Sequence, residues 1–289
     1  MKRILLLVAL LSLAAHAARA EASPRQDVHR EFTRTKEHSV RVVIDVAFGS
    51  LTLERVTDRR IATVDYDESQ DDEHKVTVSY EIDGDEGVLK VRLKKSSHFW
   101  GDGESDDEHQ DRHLTVRLTN ELPLMLDVQL GAGRGEIDLS ELQVHDLKIS
   151  TGASSVTLRC DTPNQIAAGD VQIESGVSKF TASNLSNLNF QSMKFSGGVG
   201  SYKLDFSGSL RRDADVKVEV GLGSIVVNIP RQIPARLFYD DSWLSSFDLD
   251  DAFEKERNGV YQTSNFTDSS NRLTVRIESG LGSVKVRRR

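Results

Sequence analysis

The sequence has one cysteine, few aromatic residues and little sign of a helical period. Cys160 is the only cysteine among 289 residues, so no intrachain disulfide can form. Free cysteine is usually a buried apolar side chain, and we expect Cys160 to be one inside a strand. After the first twenty residues no run of eighteen apolar residues follows, so no membrane-spanning helix is predicted there. Stability must therefore come from burial and backbone pairing.

Motifs of the common enzyme classes are also missing. The chain contains no GxSxG, HExxH or CxxC sequence, which removes the usual signals for hydrolases, zinc sites and redox sites. Its glycine clusters, such as Gly221–Gly223, are followed by alternating strand patterns rather than by a helix. A phosphate-binding glycine loop needs a helix N-terminus at that point, so we expect no nucleotide site.

The first twenty residues have the pattern of a secretory signal. Lys2 and Arg3 precede an apolar core, and Ala18-Arg19-Ala20 is a small-x-small cleavage site. Removal of this segment would change the net charge from −8 to −11, because it holds three basic residues and no acid. Such an acidic chain is a poor candidate for nucleic-acid binding. The sequence therefore predicts an exported protein, periplasmic or extracellular.

What the sequence does have is a repeat. Short runs alternate apolar and polar residues with the period of two that indicates strands. Six segments share the order strand, small residues, strand, and an earlier, degenerate copy spans Ile44 to Val56. Their G-x-[G/S] cores begin at Gly133, Gly152, Gly176, Gly198, Gly221 and Gly280. A period near twenty residues predicts a stack of β coils, with glycine or serine where each strand turns a corner.

The run "LTNELPLMLDVQLGAGRGEIDLSELQVHDLKISTGASSVTL" resembles the putative adhesin or toast-rack β-repeat domains. The C-terminal part, "VEVGLGSIVVNIPRQIPARLFYD" with "LTVRIESGLGSVKVRRR", is similar to the C-terminal domain of LiaF-like proteins, the cell-wall-active-antibiotic response group. The resemblance implies an all-β fold, a right-handed single-stranded β-solenoid or trough. It brings no catalytic residues, and it associates the chain with envelope-stress sensing, membrane partners or surface adhesion.

The predicted organisation is a single repeat domain. We expect a signal peptide at 1–20, a flexible segment at 21–39, and one β-repeat domain at 40–289 with an insertion at 238–261. The N-terminal third, about Asp27 to Lys95, is expected to add strands to the same stack.

An acidic loop offers the one candidate metal site. Asp102, Glu104 and Asp106 place carboxylates at alternate positions of a glycine-containing segment, a pattern that can bind calcium. The alternative is a solvated hairpin tip. Calcium is thus a minor hypothesis, and no other cofactor is expected.

The insertion at 238–261 concentrates aromatic residues in a chain that has few. Tyr239, Trp243, Phe247 and Phe253 are candidate partner-binding residues, because aromatic side chains dominate interface energetics. The alternative is that the insertion folds back and caps the open end of the stack. Both interpretations are open at this point.

The sequence favours an exported, non-enzymatic binding module of the cell envelope, acting in a stress response or in surface adhesion. Its expected partner is an envelope protein or a surface glycan. The alternative is a carbohydrate-active β-helix enzyme, in which the outward residues Asp127, Asp146 and Asp170 would align as a carboxylate ladder. The terminal Arg287, Arg288 and Arg289 are predicted to form a solvated tail that blunts an edge strand.

Overall fold

The computed structural model describes residues 28–67, 76–94, 112–239, 245–267 and 269–289. The predicted signal peptide lies outside these ranges. Part of the segment expected to be flexible, 21–39, instead forms a strand at Val28–Thr33. Within the described ranges, no helix is long and apolar enough to cross a membrane.

Strands make up nearly all the regular structure of the described residues, with one short 3-10 helix at Leu185–Leu188. The strands in chain order are β1 Val28–Thr33, β2 Ser39–Arg55, β3 Arg60–Asp67, β4 Val76–Asp83, β5 Glu86–Leu93, β6 His113–Leu118, β7 Pro123–Asp138, β8 Gln143–Arg159, β9 Ala168–Ser183, β10 Phe190–Asp205, β11 Ala214–Ile229, β12 Ala235–Tyr239, β13 Ser245–Leu249, β14 Phe253–Arg257, β15 Val260–Thr263 and β16 Leu273–Arg288. The predicted all-β class is confirmed.

Seven long strands form the body of the sheet, in the order β2, β7, β8, β9, β10, β11, β16. Neighbours run parallel and in register over almost their whole length, as in the pairing of Val216–Val220 with Val275–Ser279. The degenerate copy predicted at Ile44–Val56 lies mostly within β2 and pairs with β7. Each repeat therefore contributes one long strand to a continuous parallel ladder.

In every long strand, the residues that face the core change between even and odd positions at the glycine segment. In β11, Val216, Val218 and Val220 are buried before the glycines, whereas Ile225 and Val227 are buried after them. A flat strand would place residues of opposite parity on opposite faces. The two halves of each strand can face one common core only because the backbone reorients between them.

Two columns of small residues run through this reorientation. The first column consists of Gly131, Gly152, Gly176, Gly198, Gly221 and Gly280. The second column, two residues later, consists of Gly49, Gly133, Ser154, Ser178, Gly200, Gly223 and Gly282. The predicted set began at Gly133, which was wrong by two residues, because Ala132 pairs with Ala153 and Gly133 with Ser154. A Cβ on Gly152 would lie 2.3 Å from the carbonyl oxygen of Gly131, so this column needs glycine for close backbone approach.

Both ends of the ladder are closed by a coil made of two shorter strands. At one end, β5 pairs with the first half of β2 and β6 with the second half. At the other end, β12 pairs with the first half of β16 and β13 with the second half. Antiparallel strands then extend the end coils: β4 on β5, β3 and β1 on β6, β15 and β14 on β12. The N-terminal third thus adds strands to the stack, as predicted.

The last strand of the chain is not the last strand of the stack. β16 lies between β11 and the coil formed by β12 and β13, which precede it in sequence. Since β12 and β13 make parallel contacts only with β16, the end coil depends on the C-terminal residues for its place.

Cys160 follows directly after β8 and is buried, in agreement with its prediction as an apolar core residue. Burial, with a smaller effect of Asp138 and Asp161, raises the pKa of its thiol to about 12. The side chain remains a protonated thiol at neutral pH and is not a nucleophile.

Candidate binding surfaces

The outer surface carries a polar groove beside the first glycine column. Its outer row takes one hydrogen-bonding side chain from each of five successive strands: Asp45, Gln129, Ser150, Glu174 and Ser196. Thr151 and Ser175, which are buried and bond each other at 3.0 Å, also line it. Gly131, Gly152 and Gly176 form its floor, and its volume is about 490 Å³. The groove exists because the glycines have no side chains to fill the space beside the polar row. We call the five polar residues and their glycine floor the polar groove.

Charge distinguishes the polar groove from the rest of the same row. Its lining includes the carboxylates of Asp45 and Glu174 and no lysine or arginine. Further along the stack, Glu219 accepts bonds from Lys217 and Lys194, which lower its pKa to about 2. Glu219 is thus committed to ion pairs, and the Ser196 hydroxyl of the groove donates to it at 3.2 Å. In the groove, Glu174 accepts a hydrogen bond from Gln172 at 2.9 Å, and neither Glu174 nor Asp45 forms an ion pair with another described residue.

A second surface feature occupies the middle position of the G-x-[G/S] segments. Among the described residues, the exposed large hydrophobic side chains are Val177, Val199, Leu222 and Leu281. They lie in register on the adjacent strands β9, β10, β11 and β16. Their exposed fractions range from 44% to 64%, although side chains of this kind are normally buried. We call this row the apolar ridge.

The carboxylate ladder predicted for an enzyme does not form. Asp146 pairs with Met125, and Asp127 with Lys148, so Asp127 lies two residues out of register. One oxygen of Asp127 is buried, and the backbone N–H of Asp170 donates to Asp146 at 3.1 Å. Sequence spacing suggested equivalence, but Gly131 rather than Gly133 aligns with Gly152, which displaces Asp127 by two residues relative to Asp146. The aspartates therefore provide no row of three adjacent carboxylates.

The aromatic insertion packs into the end of the core. Tyr239 and Phe253 are buried, and Phe247 is half-buried against the core. The rings of Tyr239 and Phe247 are stacked with centroids 4.0 Å apart, and the Tyr239 hydroxyl bonds Ser245 Oγ at 2.6 Å. These three side chains belong to the cap that was one of the two predictions, which leaves them little surface for a partner. Trp243 lies outside the described residues.

The terminal arginines are built into the same cap, which corrects the prediction of a solvated tail. Arg288 is buried and donates to the carbonyl oxygens of Ile233 at 2.9 Å and Arg231 at 2.6 Å. Burial lowers the pKa of Arg288 from its usual value. Arg287 forms an ion pair with Asp248 of β13. The chain end is therefore an integral part of the end coil.

Replacing Arg288 with methionine tests this role. The change removes two charge-assisted bonds and leaves two carbonyl oxygens without their donor, so we expect a loss of about 2–3 kcal/mol in unfolding free energy. Urea denaturation measures it. Arg289→Met is the matched control, since Arg289 is exposed and bonds Ile229 through its backbone N–H. Equal stability of both variants would contradict a structural role for the Arg288 side chain.

Asp102, Glu104 and Asp106, the residues proposed for calcium, lie outside the described residues. Within the ranges that are described, no cluster of three His, Cys, Asp or Glu side chains has the geometry of a metal site.

Sequence reasoning missed both surface features. The apolar ridge had a signal, because an aliphatic residue stands between two small residues in four consecutive repeats. This signal coincides with the glycine motif, which predicts a corner and not a surface. The polar groove had none, since its members come from strands that are 21 to 84 residues apart along the chain and meet only through register.

Comparison with known proteins supports the toast-rack resemblance. The sequence model of the family described as the N-terminal domain of toast_rack, DUF2154, matches residues 20–183 and, in a second match, 170–228. Both matches end before β12, so the insertion and β16 lie outside them. Among proteins with curated descriptions, none matches the chain.

Several solved structures are similar over most of the chain. One is titled a putative cell adhesion protein from Clostridium sporogenes, with 17% identity, coverage of 92% of this chain and 100% of the other, and a TM-score of 0.48. Another, a putative adhesin from Bacteroides fragilis, has 11% identity, coverage of 91% and 97%, and a TM-score of 0.36. These low scores leave the family assignment to the sequence match.

Proposed function

The chain belongs to the toast-rack family, and from this premise we propose that it is an exported, non-catalytic binding module of the cell surface whose ligand is an extended, hydroxyl-rich glycan. Family membership alone specifies no ligand. The single observation that carries the proposal is the polar groove, with one hydrogen-bonding side chain from each of five adjacent strands. Export is supported by the signal pattern at 1–20.

The geometry of the polar groove suits a linear polymer. Adjacent strands are about 4.8 Å apart, so the row from Asp45 to Ser196 extends over about 19 Å. The glycine floor lets a ligand approach the backbone closely. Carboxylate, amide and hydroxyl groups can all bond sugar hydroxyls.

Two features favour a glycan over an envelope protein. The groove lining contains no aromatic residue and no arginine, the residues that dominate protein-protein hot spots. Asp45 and Glu174 give it negative charge, which disfavours anionic polymers. We therefore expect a neutral or cationic glycan.

The same geometry supports a non-catalytic role. Asp45 and Glu174 lie on β2 and β9, three strand steps or about 14 Å apart. Glycosidases place their two carboxyl groups about 5–9.5 Å apart. The groove lining includes no third carboxylate.

The handedness of the ladder and the corner at each glycine column remain proposals. We expect the ladder to wind with a right hand, because parallel connections within one sheet are right-handed in nearly all proteins. The parity change at the glycine columns supports a corner in each coil. A role in envelope stress, implied by the LiaF-like similarity, stays a prediction, because the family match ends at residue 228.

A double variant of the groove tests the proposal. We expect Gln129→Ala combined with Glu174→Ala to weaken binding at least tenfold, because each lost bond to a ligand contributes about 1 kcal/mol or more. Wild type is first screened on an array of neutral and cationic polysaccharides, and affinity is then measured by calorimetry. Melting temperatures should stay unchanged because both residues are exposed.

The matched control is Glu136→Ala combined with Thr157→Ala, an exposed acid and an exposed polar residue on the second halves of β7 and β8. This control should bind like wild type. No binding on the array, together with capture of an envelope protein that the groove variant loses, would favour a protein partner instead. New reducing ends released from a bound polysaccharide would overturn the non-catalytic assignment.

A further inference from the structure

The apolar ridge lies beside the polar groove, three residues after Glu174 in β9, and has no role in the core. Its four side chains project from the positions between the two columns of small residues, where the core-facing residues are those on either side. The equivalent positions in β7 and β8 hold Ala132 and Ala153, so the fold does not require a large side chain there. An exposed row of aliphatic residues marks an interaction site when the residues are contiguous.

We propose that the apolar ridge is the contact surface for a second copy of this chain. Its side chains repeat at the strand spacing of about 4.8 Å, because they lie in register on a parallel ladder. The ridge of another copy has the same spacing, because the two chains are identical. Two such ridges can interdigitate along their full length, as identical rows of side chains do in dry sheet interfaces.

Charge on the two flanks selects the arrangement of the copies. Three residues before the ridge positions lie Glu174, Ser196, Glu219 and Glu278, and two residues after them lie Lys179, Ser201, Ser224 and Ser283. Glu219 and Glu278 are already paired with Lys194 and Lys217, so the charges left for a partner are those of Glu174 and Lys179 on β9. A two-fold axis parallel to the stack places Glu174 of each copy opposite Lys179 of its partner. An axis perpendicular to the stack would place Glu174 opposite Glu278. The first arrangement is favoured, and it is isologous.

The flanking charges also bear on a bilayer, the other apolar surface in a cell envelope. A bilayer rich in anionic lipid attracts unpaired basic residues. Lys194 and Lys217 beside the ridge are paired with Glu219 and Glu278, and Glu174 adds a further carboxylate, so a protein copy is favoured over an anionic membrane. The ridge is narrow, and we expect association in the weak class of interfaces, below about 1,200 Å² of buried area.

Sedimentation velocity over a range of concentrations tests the proposal with the purified full chain. We expect wild type to shift from monomer to dimer between about 10 and 500 μM, the range of weak association. Val199→Lys combined with Leu222→Lys should weaken dimerisation at least tenfold, because it places like charges in a desolvated row. Thr157→Lys combined with Thr181→Lys, an exposed and a half-buried residue on the second halves of β8 and β9, should dimerise like wild type. Thermal unfolding confirms that both variants fold.

The arrangement is tested with Leu281→Cys, since Cys160 is buried and unreactive. A parallel two-fold axis brings residue 281 next to residue 281 of the partner, so mild oxidation should yield a covalent dimer of this single variant. A perpendicular axis would place residue 281 opposite residue 177, and only the mixture of Val177→Cys and Leu281→Cys would cross-link. That outcome would overturn the proposed arrangement.

Two results would overturn the proposal itself. One is wild type that remains monomeric at the highest concentration. The other is ridge-dependent flotation with vesicles of phosphatidylcholine and phosphatidylglycerol without self-association, which would identify a lipid surface as the occupant. Loss of dimerisation with unchanged glycan binding would separate this contact from the polar groove.

Discussion

Gly223→Ala should reduce the unfolding free energy by more than about 3 kcal/mol, enough to prevent folding in a protein of ordinary stability. Gly223 has φ of +132°, a backbone region that side chains essentially never occupy. A Cβ at this position would also lie 1.9 Å from the carbonyl oxygen of Gly200, which the ladder holds in place. Soluble yield, circular dichroism and urea denaturation measure the effect.

Two other glycines serve as graded controls. Gly221→Ala should cost less, because its Cβ would lie 2.9 Å from the carbonyl oxygen of Gly198 and its φ is not positive. Gly84→Ala should cost about 1 kcal/mol, since φ is +65° but nothing lies within 4 Å of the added Cβ. If Gly223→Ala were as stable as wild type, the backbone at the second column could move away from the added Cβ, which would contradict the predicted clash with Gly200.

Truncation after Arg272 should abolish the C-terminal end of the stack. The removed strand β16 buries five aliphatic side chains, Leu273, Val275, Ile277, Val284 and Val286. At roughly 1.5–3 kcal/mol each, their burial is comparable to the total stability of a domain. The truncated chain would also leave β13 without its partner and β12 paired only with β15, and would expose an edge of β11. We expect aggregation or loss of cooperative thermal unfolding.

Hydrogen exchange on the truncated chain gives a sharper result. Amides of β12 and β13 should lose their protection, whereas those of β7 and β8, four or more strands away, should retain more of theirs. Removal of Arg289 alone is the control and should have a small effect. A synthetic peptide covering residues 269–289 should restore protection if it binds specifically between β11 and the end coil, in the position of β16. Protected β12 amides in the truncated chain would contradict the dependence of the end coil on β16.

The strand pattern and its repeat were predictable because both are local. Alternation of apolar and polar residues is visible within any one segment, and the core residues Val216, Val218 and Val220 follow it directly. The glycine columns were predictable as a recurrence but not in their alignment. In β7, glycines stand at 131, 133 and 135, so the sequence allows a shift of two residues, and only the stacking of backbones selects Gly131.

The candidate sites were less predictable, for a different reason. Aromatic residues such as Tyr239 and Phe253 are equally expected at a protein interface and in a buried cap. Burial distinguishes the two, and burial depends on which strand the insertion meets. The aspartate ladder failed because β7 aligns with β8 through Gly131 rather than Gly133, which no spacing within a single repeat reveals.

By itself the sequence determined the all-β class, the recurring strand and the burial of Cys160, because each depends on side-chain pattern within a few residues. Tertiary structure alone decided that β16 would lie between β11 and the end coil of β12 and β13, that Arg288 would be buried in the cap, and that the polar groove would form. These features join residues tens of positions apart. They arise from parallel pairing between strands, whose hydrogen bonds are made by a backbone that is chemically the same in every repeat.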